Sequence, residues 1–221
     1  MRLISYAAIL AGFAAMPALA APITVSSYAM PNGDGQASGG SFNYWDLAYS
    51  GSGSTNVDGA ALTGGTGDLT DGVVASDFWY NVENGGGTGP YVGWYLPTTP
   101  NPLITFNFAS LSTINDISIH IDNSHVGGVF APAAILINGV SQSFTAPGVG
   151  TIGFINFTGL GLVGNSLTIE FQQGGGWTFV SEISFDGRAG VVPEPTSWAM
   201  MVAGFGVVGM QIRRRRRLAA C

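Results

Sequence analysis

The sequence predicts an all-β protein, an antiparallel jelly-roll-type β-sandwich set between two apolar targeting segments. Three observations predict it. About eight short stretches with period-two alternation or β-branched and aromatic enrichment recur at spacings of roughly 10 to 15 residues. Thirty of the 34 glycines lie between residues 21 and 192 among many Asn, Ser and Thr, a composition that favours turns over helices. No amphipathic helical pattern of useful length and no fixed-period repeat interrupts this stretch. The roughly 170 residues between the targeting segments suffice for one core that buries about 70% of its unfolded surface.

The elements follow in order. Residues 23–28 read as a first strand, 31–41 as a loop and 42–49 as a second strand. The Gly, Ser and Thr rich stretch 50–67 reads as a long surface loop. Leu103, Ile104, Phe106 and Phe108 form the next strand; in the one after it Ile117, Ile119 and Ile121 point one way while Ser118, His120 and Asp122 point to solvent. Residues 134–137 end at Asn138-Gly139, a hairpin turn that leads into a strand at 141–145. Residues 151–157, 166–172 and 177–186 complete the set, with Trp177, Phe179, Ile183 and Phe185 expected on one face.

Charge narrows the partners. Between residues 21 and 192 twelve Asp or Glu stand against the single cation Arg188, a formal charge of −11. Such a surface repels nucleic acid and anionic lipid and suits an extracellular protein that tolerates bound divalent cations.

The two ends read as addresses. Arg2 precedes an apolar stretch to Ala15, and Ala18-Leu19-Ala20 supplies a small-residue cleavage pattern, so residues 1–20 read as a signal peptide for the general secretory translocon, cut after Ala20. At the other end, Trp198 to Ile212 carries no ionisable side chain and spans roughly 22 Å as a helix, short for a hydrocarbon core of about 30 Å. Arg213, Arg214, Arg215, Arg216 and Arg217 stay on the cytoplasmic side and place everything before Pro193 outside. A simple tail anchor satisfies these facts. Cys221 is the only cysteine, so the exported domain has no disulfides.

Pro193-Glu194-Pro195, Trp198-Ala199 two positions on, the apolar run with Gly204-Phe205-Gly206 and the five arginines resemble a PEP-CTERM sorting signal, over residues 191–221. The resemblance implies recognition by a membrane-embedded exosortase in a Gram-negative, exopolysaccharide-producing bacterium. It also implies a helix at 197–212 that anchors only transiently in the inner membrane, cleavage near the motif, and delivery to the cell surface, outer membrane or extracellular matrix. The domain boundaries expected on this basis are 1–20, 21–190 and 191–221.

A second resemblance covers about residues 68–187. Leu69-Thr70-Asp71-Gly72, Ile104-Thr105-Phe106-Asn107-Phe108, Ile117-Ser118-Ile119-His120 and Trp177 to Phe185 are similar to the galactose-binding-like, or discoidin-type, sandwich. It implies glycan binding through loops at one end and a structural Ca²⁺. Asp71-Gly72 and Glu182 match its pattern, and Asp68, Asp71 and Glu182 are the expected Ca²⁺ ligands because a loop of this kind offers carboxylates and carbonyls together. Asp68 and Asp71 also suit simple turn capping.

Aromatic side chains stack on the apolar faces of sugars, which makes Trp79, Tyr80, Tyr91, Trp94 and Tyr95 the candidate ligand residues, with Asn81, Glu83 and Asn84 beside them. Trp94 and Tyr95, flanked by Gly93 and Pro97, are the expected exposed platform; Trp and Tyr also fill sandwich cores. His120 and Asp122 share a face, with His125 in the following loop, a placement open to a small metal cluster or an acid/base pair, although a strand-borne His on the solvent face usually has no role beyond solvation; no GxSxG, HExxH or paired-Cys motif occurs. The sequence therefore favours a non-catalytic surface module for exopolysaccharide or another glycan. A secreted hydrolase, with Glu83, Glu170 and Glu182 as carboxylates that the fold could bring together though nothing singles them out, and a purely structural matrix protein are the alternatives.

Overall fold

The computed structural model describes residues 21–35 and 40–190, with Phe205 alone beyond them. The signal peptide, the Pro-Glu-Pro motif, the 197–212 segment and the arginine run lie outside the described residues. The chain divides into two units after Ala189, and the first holds every strand described below.

One strand organises that unit. β5, Leu103–Asn123, is 21 residues long and joins the two separate strands that the sequence suggests. Its buried side chains run Ile104, Phe106, Phe108 and Ile114, then Ile117, Ile119 and Ile121, so the inward phase changes once. Of two register shifts, one between Asn107 and Ser112 against β9 leaves the inward phase unchanged, and the second, near Asn115 against β10, coincides with the change. At the second, Gly187 lets the backbones close up, since a Cβ there would lie 2.0 Å from the Thr113 carbonyl oxygen.

The bend makes β5 a member of both halves of one antiparallel sheet. Around its first half, β2 (Val25–Pro31) and β9 (Leu162–Gln172) pair on opposite edges. β3 (Ala61–Gly65) extends the β2 side, and β6 (Ala134–Ile137) with β7 (Val140–Gln142) extends the β9 side. Around its second half, β10 (Trp177–Ala189) and β8 (Thr151–Phe157) pair on opposite edges. β1 (Ala21–Pro22) and β4 (Val92–Tyr95) both pair with β10.

The core fills the space between the halves. The Phe106 ring lies 5.0 Å from Phe185 and 5.9 Å from Tyr28, and Phe108 meets Phe185 at 5.3 Å. Trp94 of β4 stacks on Phe171 of β9 at 6.1 Å. This is a β-sandwich whose layers join through a bent strand.

Three expectations change. Residues 42–49 form turns rather than a strand, because the Asn43 and Asn32 side chains take the backbone N–H groups of Trp45 and Asp46 that a ladder would need. The supposed loop 50–67 contains β3; Gly51 permits its approach, a Cβ there lying 2.4 Å from the Thr63 carbonyl oxygen. The strand after Asn138-Gly139 is the short β7, while both turn residues adopt the positive φ, 50° and 76°, that the dipeptide predicts.

Replacing Phe185, the ring that both Phe106 and Phe108 pack against, with Ala should destabilise the domain by about 3–5 kcal/mol in urea unfolding. A loss below about 1 kcal/mol would contradict the packing described.

Candidate functional site

The outer face of β4, β10 and β5 is covered by a second, aromatic layer. A bulge between Val180 and Glu182 shifts the register of β10. Before it Phe179 and the half-buried Trp177 face outward; after it Ile183 and Phe185 face the main core, so these four side chains do not share one face. Phe179 packs with Tyr44, Ala75, Trp79, Tyr91 and Val129. The one-turn helix α1, Trp79–Val82, lays its tryptophan across this cluster.

The rings form a continuous row that surfaces at both ends. Tyr95 stacks on Trp177 at 4.8 Å, Trp177 meets Tyr44 at 5.1 Å, Tyr44 meets Trp79 at 5.9 Å and Trp79 meets Tyr80 at 5.5 Å. Tyr95 and Tyr80, at 37% and 38%, are its exposed members. The Phe130 ring lies directly over Gly175, two residues before Trp177, where a Cβ would stand 2.0 Å from it, and His125 packs on Phe130 at 4.2 Å. Buried Asp34 holds the Tyr95 end, accepting from the Tyr95 N–H and from the Thr99 hydroxyl. Burial pushes the Asp34 carboxyl above its ordinary range.

The expected platform therefore needs correction. Trp94 is fully buried and donates its Nε1–H to the Pro31 carbonyl oxygen at 2.9 Å, because alternate residues of a strand face opposite sides and Tyr95 takes the outer one. Trp79 and Tyr91 are buried as well: Trp79 Nε1–H donates to the Val126 carbonyl oxygen, and the Tyr91 hydroxyl to that of Asp77. Of the five candidates only Tyr80 and Tyr95 reach the surface. Trp177 joins Tyr95 instead, and Gly175, over which the Phe130 ring lies, belongs to the run Gly174-Gly175-Gly176 that is the signal beside it.

His120 and Asp122 do not face solvent either. Asp122 accepts from the N–H groups of Trp79 and Ser124, and His120 Nδ1 lies 2.8 Å from Ser181 Oγ under the aromatic layer. Burial lowers the His120 pKa, with the nearby Asp122 charge opposing.

The acidic residues gather under the loops of residues 46–89. The Tyr28 hydroxyl donates to Asp46 Oδ2, and the Asp68 N–H donates to Asp46 Oδ1. Burial, then the Asp46, Asp71 and Glu83 charges, push the Asp68 carboxyl up to about 8. Burial also raises Glu83 to about 8; its Oε1 accepts the Tyr91 N–H while Oε2 has no partner. Glu182, raised to about 7 by burial, accepts the Gly72 N–H. Of the expected Ca²⁺ ligands, Asp71 is exposed and accepts the Val73 N–H, with its charge acting on both Asp68 and Glu182, while Asp68 turns inward toward Asp46. Among the described residues no three of His, Cys, Asp and Glu come together as a metal-holding group. Glu83, Glu170 and Glu182 do not form a catalytic set either, since Glu170 sits on β9 between Leu103 and Leu136.

Residues 24–148 match the family described as discoidin domain-containing receptor 1/2, DS-like domain, over more than half of the chain. The chain belongs to the DS-like domain family. Residues 191–217 match the PEP-CTERM protein-sorting motif, which marks this DS-like protein as a secreted, membrane-transiting exosortase substrate. Among solved structures, it is similar to SpGH29 at 17% identity and a TM-score of 0.33, over 56% of this chain. The chain spans only 24% of that protein. It is similar to the CBM32 of AlyQ in complex with 4,5-unsaturated mannuronic acid at 12% identity and a TM-score of 0.30, over 43% of this chain and 75% of the other. A fucolectin from Morone saxatilis (striped bass) serum is similar at 11% identity and a TM-score of 0.34, over 76% and 79%. No curated protein matches. Among the described residues no helix is long and apolar enough to cross a membrane.

The raised carboxyls give the DS-like domain a definite pH response. A carboxyl whose folded pKa lies above its unfolded value contributes stability that is fully present below the unfolded pKa and is lost as pH rises through the folded one. For Asp68 that window runs from its ordinary 3.8 up to about 8. The melting temperature should therefore fall as pH rises across this window, and Asp68→Asn with Glu83→Gln should flatten the fall. An unchanged slope in that double variant would contradict the assignment.

Proposed function

We propose that this protein is an exported, non-catalytic module that binds glycan, exopolysaccharide of the cell surface foremost, through the exposed Tyr95–Trp177 stack at one end of its sandwich. That stack carries the reading: a ring 37% exposed, backed by Trp177 at 4.8 Å and held at its backbone by Asp34, is a flat apolar surface of the kind sugar C–H faces cover. Membership of the DS-like family supports it. In the same reading the signal peptide is removed after Ala20, the Pro193-Glu194-Pro195 motif is cut by exosortase, and the 197–212 segment anchors the chain in the inner membrane only until then. The product resides at the surface of a Gram-negative cell or in its matrix.

One observation favours a hydrolase instead. Asp68 and Glu83 are both raised to about 8, Asp68 by burial and then by charges that include Glu83, and Asp68 lines a cleft of about 370 Å³ between the 71–76 and 88–90 loops. Carboxylic acids protonated near neutrality are what general-acid chemistry needs.

Glycan-array binding separates the two. Tyr95→Ala should weaken binding about tenfold, or about 1.4 kcal/mol, with the melting temperature little changed. Shortened glycan products that vanish in Glu83→Gln would establish the hydrolase, and full binding by Tyr95→Ala would remove the platform.

A further inference from the structure

A broad concavity lies outside the Tyr95 platform. It is a groove of about 870 Å³ between the 143–147 segment and the outer side of β8. Phe154 lines it, 43% exposed, and its ring stands edge-on against His120 at 4.9 Å and 65°. His120 is itself buried and rests on Ser181, so the exposed ring has a rigid backing. Asn156 is oriented by the Ser118 hydroxyl at 2.8 Å. The facing segment is tied down: Asn123 Nδ2 donates to the Pro147 carbonyl oxygen at 2.8 Å, and Thr151 Oγ1 donates to that of Gly148 at 2.7 Å.

The chemistry of the lining selects its occupant. In a domain of formal charge −11, none of the groove's lining residues is ionisable; beside Phe154 and Pro147 they offer the hydroxyls of Ser143, Thr145 and Thr151 and the Asn156 amide. An anionic chain would be repelled by the domain's field and find no cation there, and a cationic one would find no carboxylate. The lined part of β8, Thr151 to Asn156, is about 17 Å long, which suits several linked units rather than one.

We propose that this groove is a second carbohydrate site, which holds an extended, uncharged glycan chain along β8 with one sugar stacked on Phe154. It does not depend on the Tyr95 platform. Walls already fixed by hydrogen bonds lose little freedom on binding.

The test is calorimetry on the exported chain with uncharged glucan, mannan, galactan and xylan hexasaccharides, and a uronic-acid hexamer as the anionic control. At least one uncharged hexamer should bind and the uronate should not. Phe154→Ala should weaken that binding about tenfold while Phe154→Tyr and Tyr95→Ala preserve it. The groove site is overturned if no uncharged hexamer binds, if the uronate binds as well, or if Phe154→Ala binds as tightly as the native chain. A concentration-dependent dimer that Phe154→Ala abolishes would likewise overturn it and assign the groove to self-association. Loss of binding in Tyr95→Ala alone would leave the platform standing and remove the groove.

Discussion

The pairing of β5 on both of its edges, along two halves that face different directions, is the constraint on which the rest of the structure depends. Residues Ser112 to Ile114 pair with both β9 and β10, so the strand that closes one layer also opens the other. Phe106 and Phe108 from its first half meet Phe185, which pairs with Ile117 in its second. Neither layer can bury its apolar face without the other.

The second half of β5 also supports the functional surface. With β10 and β4 it presents an outer face that carries His120, Asp122, Ser181 and Phe179, none of which could remain bare at such burial. The loops of residues 40–48 and 67–91 cover it, and their backbone groups are held by side chains at Asn32, Asp46, Asp122 and Glu83. The covering layer is rich in rings and carboxyls together: the rings supply area, and the carboxyls fix the irregular backbone that presents them. With Arg188 the only Lys or Arg between residues 21 and 192, the carboxyls rely on amide and hydroxyl donors, which is why burial leaves several of them above their ordinary range.

Much of the sandwich is legible in the chain because its signals are local. The alternation at 117–121, the Asn138-Gly139 turn and the apolar strands before and after it need only near neighbours to be read. The merging of two strands into β5 is not local: it depends on bulges whose partners, Gly187 and Gly164, lie 50 or more positions away. Glycine misled in a consistent way. At Gly51 and Gly65 it marks backbones in contact, whereas its abundance there reads as an open loop. The aromatic site was half legible. Tyr95 and Trp94 were both visible as aromatic residues beside glycine and proline, but which of the two faces solvent is set by strand phase against β10. The face that Trp177 takes is set by the bulge in β10, which no local pattern marks. The targeting segments stand apart, since their meaning rests on charge and apolar order that a membrane reads directly.

The functional reading thus rests on a rigid sandwich that offers aromatic surface at one end and an uncharged groove on one side, in a chain built for export. Its central physical claim is that β5 joins both layers into one cooperative unit. Native-state hydrogen exchange along β5 tests this most directly. The amides of 104–108 and of 117–121 should exchange only through global unfolding, with one common free energy equal to that from urea. Exchange of one half through a separate opening, far below the global value, would show that the two layers are independent and contradict a β5 that joins them.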